Sequence, residues 1–248
     1  MPIAGAFSTG CHLKMLVFII VFLAIFTQTL AGFGLALVSM PLLVPLLGIQ
    51  VAAPLVALVA VTAESVLLFR YRAHLTIAPV WRLVLASIFG VPLGVIGLSH
   101  LDEDLVVMAL GIVVTGYALY ALLEFHLPAV EMPRWAYGFG FFAGVLGGAY
   151  NTAGPPVVIY GACRRWEPGT FKGNLQGFFL VNSIAIIVSH GVNQNFTPEV
   201  WGYFLVVLPA IALGLLGGFY LERHISAVRF RQGVLGLLLI LGLQLLFL

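Results

Sequence analysis

The chain has 248 residues, of which 11 are Lys or Arg and 9 are Asp or Glu, so 8% are charged while 62% are hydrophobic. An ordinary soluble domain is roughly 25% charged, and a chain of this length has too little interior to hide so much apolar surface from water. A soluble enzyme, a nucleic-acid binder and a disordered protein are excluded, and the net charge of +2 reflects where basic residues stand along a membrane protein.

A crossing helix needs about 20 mainly apolar residues at about 1.5 Å each. The first candidate region, Met15 to Gly48, holds 34 uncharged residues with Gly32 and Gly34 near its middle. It is too long for one crossing and too short for two, which predicts two short helices broken, or re-entrant, inside the membrane. Lys14 to Ala31 also has the outline of a signal peptide, but its part in the repeat described below assigns it to the membrane domain. Val51–Phe69, Ile77–Leu98 and Leu105–Leu123 follow as single crossings. A second uncharged region of 29 residues, Trp135 to Cys163, carries Gly147, Gly148, Gly154, Pro155 and Pro156 and predicts a second broken pair. Phe171–Ser189, Trp201–Leu221 and Gly233–Leu248 complete an all-α polytopic membrane protein.

Lys and Arg concentrate on the cytoplasmic side of membrane proteins. Arg70 and Arg72 follow one crossing, Arg164, Arg165 and Lys172 follow the second broken pair, and Arg223, Arg229 and Arg231 flank the last loop. The loops at Ser99–Asp104 and His190–Pro198 have neither Lys nor Arg, and the first carries Asp102, Glu103 and Asp104. If each broken pair returns to the side it left, every basic residue except Lys14 is cytoplasmic and both termini are external. Trp81, Trp135, Trp166 and Trp201 all fall near segment ends, where interfacial tryptophans belong.

A shift of 120 residues superposes the two halves. Gly34 meets Gly154, Val80-Trp81 meets Val200-Trp201, Gly94 meets Gly214 and Gly97 meets Gly217. The two interrupted regions coincide under the same shift, and charge gives the halves opposite senses. The expected architecture is a single membrane domain of two inverted-topology repeats, 1–127 and 128–248, each of about five segments with its broken helices first. Inverted repeats with matching interruptions are a signature of secondary transporters. A duplicated structural protein has the same outline.

A helix that starts within the membrane leaves its first N–H groups unpaired and gathers partial positive charge, which favours an anion. Gly32 and Gly34 let backbone come close and leave the amides from Leu35 onward free, with Ser39 one turn on. In the second break Asn151 or Thr152 is placed to cap the next helix, Gly154 permits approach, and Pro155 suits a first helical turn. The same glycines also suit tight helix packing. Asn174, Asn182 and Ser189 share one helical face, as lining of a path or as glue between helices. Glu64 is the carboxylate within an apolar segment, and an unpaired charge there is expensive. It is expected either to pair with Arg82 on the next helix or to carry a proton and couple it to transport. No metal-ligand spacing, HExxH or GxSxG is present, so the reading is no enzyme, no cofactor and no metal.

Gln28-Thr29-Leu30-Ala31-Gly32-Phe33-Gly34 with Pro41-Leu42-Leu43, and Gly144-Val145-Leu146-Gly147-Gly148 through Gly154-Pro155-Pro156 with Tyr160, resemble the two motifs of the sulfite exporter TauE/SafE family. The Tyr71-Arg72 end is also similar, while Leu35-Ala36 stands where many members carry further glycines. The resemblance implies a multi-pass protein of the bacterial inner membrane that moves a small sulfur-containing or carboxylate anion, such as sulfite or an organosulfonate, in some members with protons. A passive anion channel and a non-transporting scaffold are the alternatives. The expected partners are the anion and the lipid bilayer, with self-association open. Candidate substrate contacts are Gly32, Gly34, Ser39, Asn151, Thr152, Gly154, Pro155, Asn174 and Asn182, and Glu64 with Arg82 is the candidate coupling site or ion pair.

Overall fold

In hydrocarbon, backbone N–H and C=O groups must be satisfied within the protein, and a helix does so within one segment. The computed structural model describes residues 3–100, 102–123, 129–130, 132–222, 224 and 227–247, with side chains from residue 12 onward apart from 98, 99, 103 and 227–231. Among the described residues there are ten α-helices and no strand: α1 (Ile3–Ala31), α2 (Leu35–Leu47), α3 (Ile49–Tyr71), α4 (Ile77–His100), α5 (Glu103–Leu122), α6 (Trp135–Tyr150), α7 (Gly154–Cys163), α8 (Pro168–Val192), α9 (Pro198–Leu221) and α10 (Ala227–Leu246). Six of them, α1, α3, α4, α5, α8 and α9, are long and apolar enough to cross a membrane. Arg223 lies outside the described residues, as do the side chains of Cys11, Glu103, Arg229 and Arg231.

The first region departs from the expected two short helices. Helix α1 has 29 residues and runs back through Lys14, so it can cross unaided; only α2, with 13, is short. In the second region α6 and α7 are both short, at 16 and 10 residues. Apolar continuity set the expected bounds at Lys14, but one lysine near a segment end does not stop a helix.

Helices α2 and α3 form the centre, where every residue from Gly32 to Pro41 and from Ala52 to Ala60 is buried. Around them α1 packs on α9, α4 on α6, α3 on α8 and α5 on α10. Small residues set these contacts. A Cβ on Gly140, Gly144 or Gly148 would strike the backbone of Leu83, Ser87 or Val91, so α4 and α6 run parallel with their backbones touching. Gly214, Gly217 and Gly218 likewise meet Ile25, Phe26 and Thr29, which sets α9 parallel to α1. Gly148 therefore belongs to the packing surface of α4 and α6, against expectation, while Gly147 faces Asn182 and Ile186 of α8 and Ala153 at the second interruption. Outward faces are apolar, with Phe89, Leu205 and Leu216 each more than 60% exposed, as lipid-facing side chains are.

Candidate functional site between the two interruptions

Helix α1 ends where Gly32 and Gly34 take φ of 83° and 114°, values that only glycine adopts freely. Gly34 precedes α2 and brings no side chain to cap it. The cap comes from the preceding turn of α1, where Gln28 Oε1 accepts from the Leu35 N–H at 3.1 Å. The Gly34 carbonyl accepts from Val38 N at 3.0 Å, which leaves Ala36 and Leu37 as first-turn residues without an intrahelical acceptor for their N–H. Helix α8 braces the turn: Gln176 Nε2 donates to the Gly32 carbonyl at 2.8 Å, and Lys172 Nζ donates to the Leu30 carbonyl at 3.1 Å.

The second interruption is built differently. Asn151 takes φ of 56° and terminates α6, its N–H bonding to the Gly147 carbonyl at 2.7 Å. The sequence places Asn151 or Thr152 as the cap of α7; instead Asn151 caps the end of α6, and Ala153 precedes α7 with no side-chain cap. Asn readily takes this left-handed conformation, and doing so turns its side chain away from α7 to donate to the Ala53 carbonyl of α3 at 2.8 Å. Thr152 Oγ1 points back to the Leu146 carbonyl at 3.4 Å. Pro155 and Pro156 fill the first turn of α7, so of its leading positions only Gly154 keeps an N–H.

Both interruptions open on one cavity of about 30 Å³, room for about two water-sized groups. Gln28, Gly34, Leu35, Ala36 and Leu37 line it from the first side, and Asn151, Thr152 and Gly154 from the second. Ala60 and Glu64 of α3 and Phe179 of α8 close it, Ala60 standing midway along its helix. No Lys or Arg is among the lining residues. Glu64 is 5% exposed and faces the side chains of Ser183 and Gln28. Glu64 Oε2, Gln28 Nε2 and Asn151 Oδ1 are buried without a hydrogen-bond partner; Nε2 is a donor that an anion oxygen can satisfy, whereas the two oxygens call for a donor such as water or a proton.

The expected Glu64–Arg82 pair does not form. The ion pairs among the described residues join Glu222 to Lys172 at 2.7 Å and to Arg70 at 3.6 Å. Helix α3 packs on α8 and α9, whereas α4 packs on α6 and α8, so consecutive helices are not neighbours at that depth. The Arg82 guanidinium lies 4.7 Å from the Trp81 ring centroid instead. Gly34, Asn151, Thr152 and Gly154 share the cavity, while Gly32, Ser39, Pro155, Asn174 and Asn182 stand outside its lining. Gly32 meets the Lys172 stem, and Ser39 is buried deeper along α2. Asn174 Oδ1 accepts from the N–H and hydroxyl of Thr76 at 2.8 and 2.9 Å, which makes it glue between α8 and the loop before α4. Asn182 packs beside Gly147. Gln28, Ser183 and Phe179 were not singled out as contacts by sequence reasoning. Gln28 does stand one turn before Gly32, within reach of a helix that restarts at Leu35.

Away from the cavity, Glu222 draws three helices together. Lys172 Nζ and the Tyr71 hydroxyl donate to its Oε1, each at 2.7 Å. Burial pushes the Glu222 carboxyl up, but the hydrogen bonds from Lys172 and Tyr71 and the charges of Lys172 and Arg70 outweigh it and hold the group below the ordinary carboxylate value. Because Lys172 also grips the Leu30 carbonyl, this cluster ties the first interruption to the ends of α3 and α9.

No curated protein and no solved structure matches the chain. A family model described as sulfite exporter TauE/SafE matches residues 17–245, a span that contains both interruptions, the cavity and the Glu222 cluster. With helices fit to cross a membrane several times and this match over nearly its whole length, the chain belongs to the sulfite exporter TauE/SafE family.

Proposed function

We propose that this protein is a secondary transporter of the bacterial inner membrane that carries a small sulfur-containing anion, sulfite before larger sulfonates, through the cavity between its two interruptions. The observation that carries this reading is the convergence of both interruptions on one cavity that holds an unsatisfied buried donor, Gln28 Nε2. The start of α2 supplies partial positive charge and first-turn amides there. A cavity with room for about two water-sized groups favours the small end of the sulfur-containing anions. The packing pattern supports the inverted repeat: α1 pairs with α9 as α6 pairs with α4, while α3 with α8 and α5 with α10 each join equivalent helices. The gathering of Arg70, Lys172 and Glu222 at one end supports the orientation that puts this end in the cytoplasm.

Glu64 gives the transport its coupling. An ionised carboxylate about 4 Å from a bound anion costs about 4 kcal/mol even at an effective dielectric of 20, and no cation lines the cavity to offset it. The side chains that face Glu64 are Ser183 of α8 and Gln28 of α1, neither of them charged. The anion is therefore accommodated with Glu64 neutral, and a proton travels with it. Proteoliposomes holding the purified protein test this: sulfite flux should saturate, compete with other small sulfur anions and follow an imposed pH gradient. Glu64→Gln should keep sulfite exchange and lose the response to the gradient. Flux that never saturates indicates a channel, and absence of flux from folded protein indicates a scaffold.

A further inference from the structure

Beyond the backbone amides, the cavity is lined by a side chain with an unsatisfied buried donor. Gln28 is 3% exposed and reaches across the interruption to the first amide of α2. Because Leu35 N–H can only donate, the carbonyl oxygen of the Gln28 amide must face it. The amide nitrogen is then turned into the cavity on the side of the Glu64 carboxyl, where Nε2 is buried with no hydrogen bond formed. Two N–H donors of one amide are thus presented beside the start of α2. An unsatisfied buried donor is costly, and water has room to serve it only until a ligand oxygen arrives.

We infer that Gln28 is a substrate-contacting residue that selects for oxygen-bearing anions, its Nε2 donating to an anion oxygen while its Oε1 holds Leu35. This deepens the proposed anion site and rests on it. One side chain fixes the helix start and reads the ligand, so the position of the α2 amides and of the Gln28 donors is set together. A ligand that presents a hydrogen-bond donor at that point would leave Nε2 facing a like group and be rejected.

Gln28→Glu separates the two tasks. A carboxylate keeps the acceptor for Leu35 and removes the donors. Sulfite affinity, measured on purified full-length protein at neutral pH by titration, should fall at least tenfold, and the ligand-free melting temperature should fall too because a second carboxyl is buried facing Glu64. Gln28→Met removes donors and acceptor without adding charge, and should lower both affinity and melting temperature. It also covers the case in which the added charge prevents folding. If either folded variant binds sulfite as the parent does, Gln28 serves the helix start alone and the inference is overturned. If the parent itself binds neither sulfite nor methanesulfonate, the anion site falls, and this inference with it.

Discussion

The two interruptions stand 120 residues apart in corresponding places, yet they are held open by different means. The first uses two glycines in the left-handed region, takes its cap from Gln28 on the other side of the gap and is braced by Lys172 and Gln176 of α8. The second uses Asn151 in that region, ties it to the Ala53 carbonyl and follows it with two prolines that carry no N–H. One side of the cavity is rich in donors and the other supplies shape, a single remaining amide and the Asn151 oxygen. Two breaks 120 residues apart need not share a chemistry, because hydrogen-bond capacity depends on the residues that fill the turn.

The sharpest way to break the comparison is at its glycines. Gly34→Val should abolish sulfite binding and destabilise by at least about 1–3 kcal/mol, since φ of 114° is closed to a β-branched residue. The space itself is not the obstacle, as an added Cβ would meet only Thr27 Cγ2, at 3.3 Å. Asn151→Ala loses one hydrogen bond and a residue suited to its backbone, so chemical melting should show a loss of about 1–2 kcal/mol. Asn151→Gly should recover the backbone share and not the rest.

The brace behind the first interruption should show a smaller, pH-dependent effect. Double-mutant analysis of Lys172→Met and Glu222→Gln should yield a coupling between about 0.5 and 3 kcal/mol, with side-chain exposures of 19% and 25% placing it above a surface pair. Glu222 has its folded value below its ordinary one. Its stabilisation is therefore complete above the unfolded value of about 4.3 and fades as pH falls through the lower folded value. Melting curves of the parent and Glu222→Gln should converge in acid and separate at neutral pH. The smallest effect belongs to Gly154→Ala. Its backbone is ordinary and the new methyl would meet only Phe179 Cζ at 3.9 Å, so stability should stay within about 0.5 kcal/mol of the parent. A Gly154→Ala loss as large as that of Gly34→Ala would erase the distinction drawn between the two sides.

Hydropathy made the long helices legible, and the Gly and Pro positions marked both interruptions to within a few residues. Gly34, Asn151, Thr152 and Gly154 could be anticipated because unpaired helix ends need small or capping residues nearby. Partners could not. Glu64 faces Gln28 and Ser183, which are 36 residues before it and 119 after it. Pairing it with Arg82 assumed that helices adjacent in the chain are adjacent in space. Lys14 misled in a simpler way, since a charge near a helix end was taken as the limit of the helix. Gln28 was present within a recognisable motif, but its role depends on a hydrogen bond across the gap that no periodicity reveals.

The backbone contact between α4 and α6 has a mechanical consequence. Glycines let these helices touch main chain to main chain over successive turns, so neither can slide or roll without collision, and the pair behaves as one stiff beam. Helix α2 has the opposite character: a short plank hung between Gly32 and Gly34 at one end and Gly48 at the other, all at positive φ. Helix α2 can therefore be re-aimed only at its ends, where substitution of any of the three glycines meets a backbone that other residues rarely adopt.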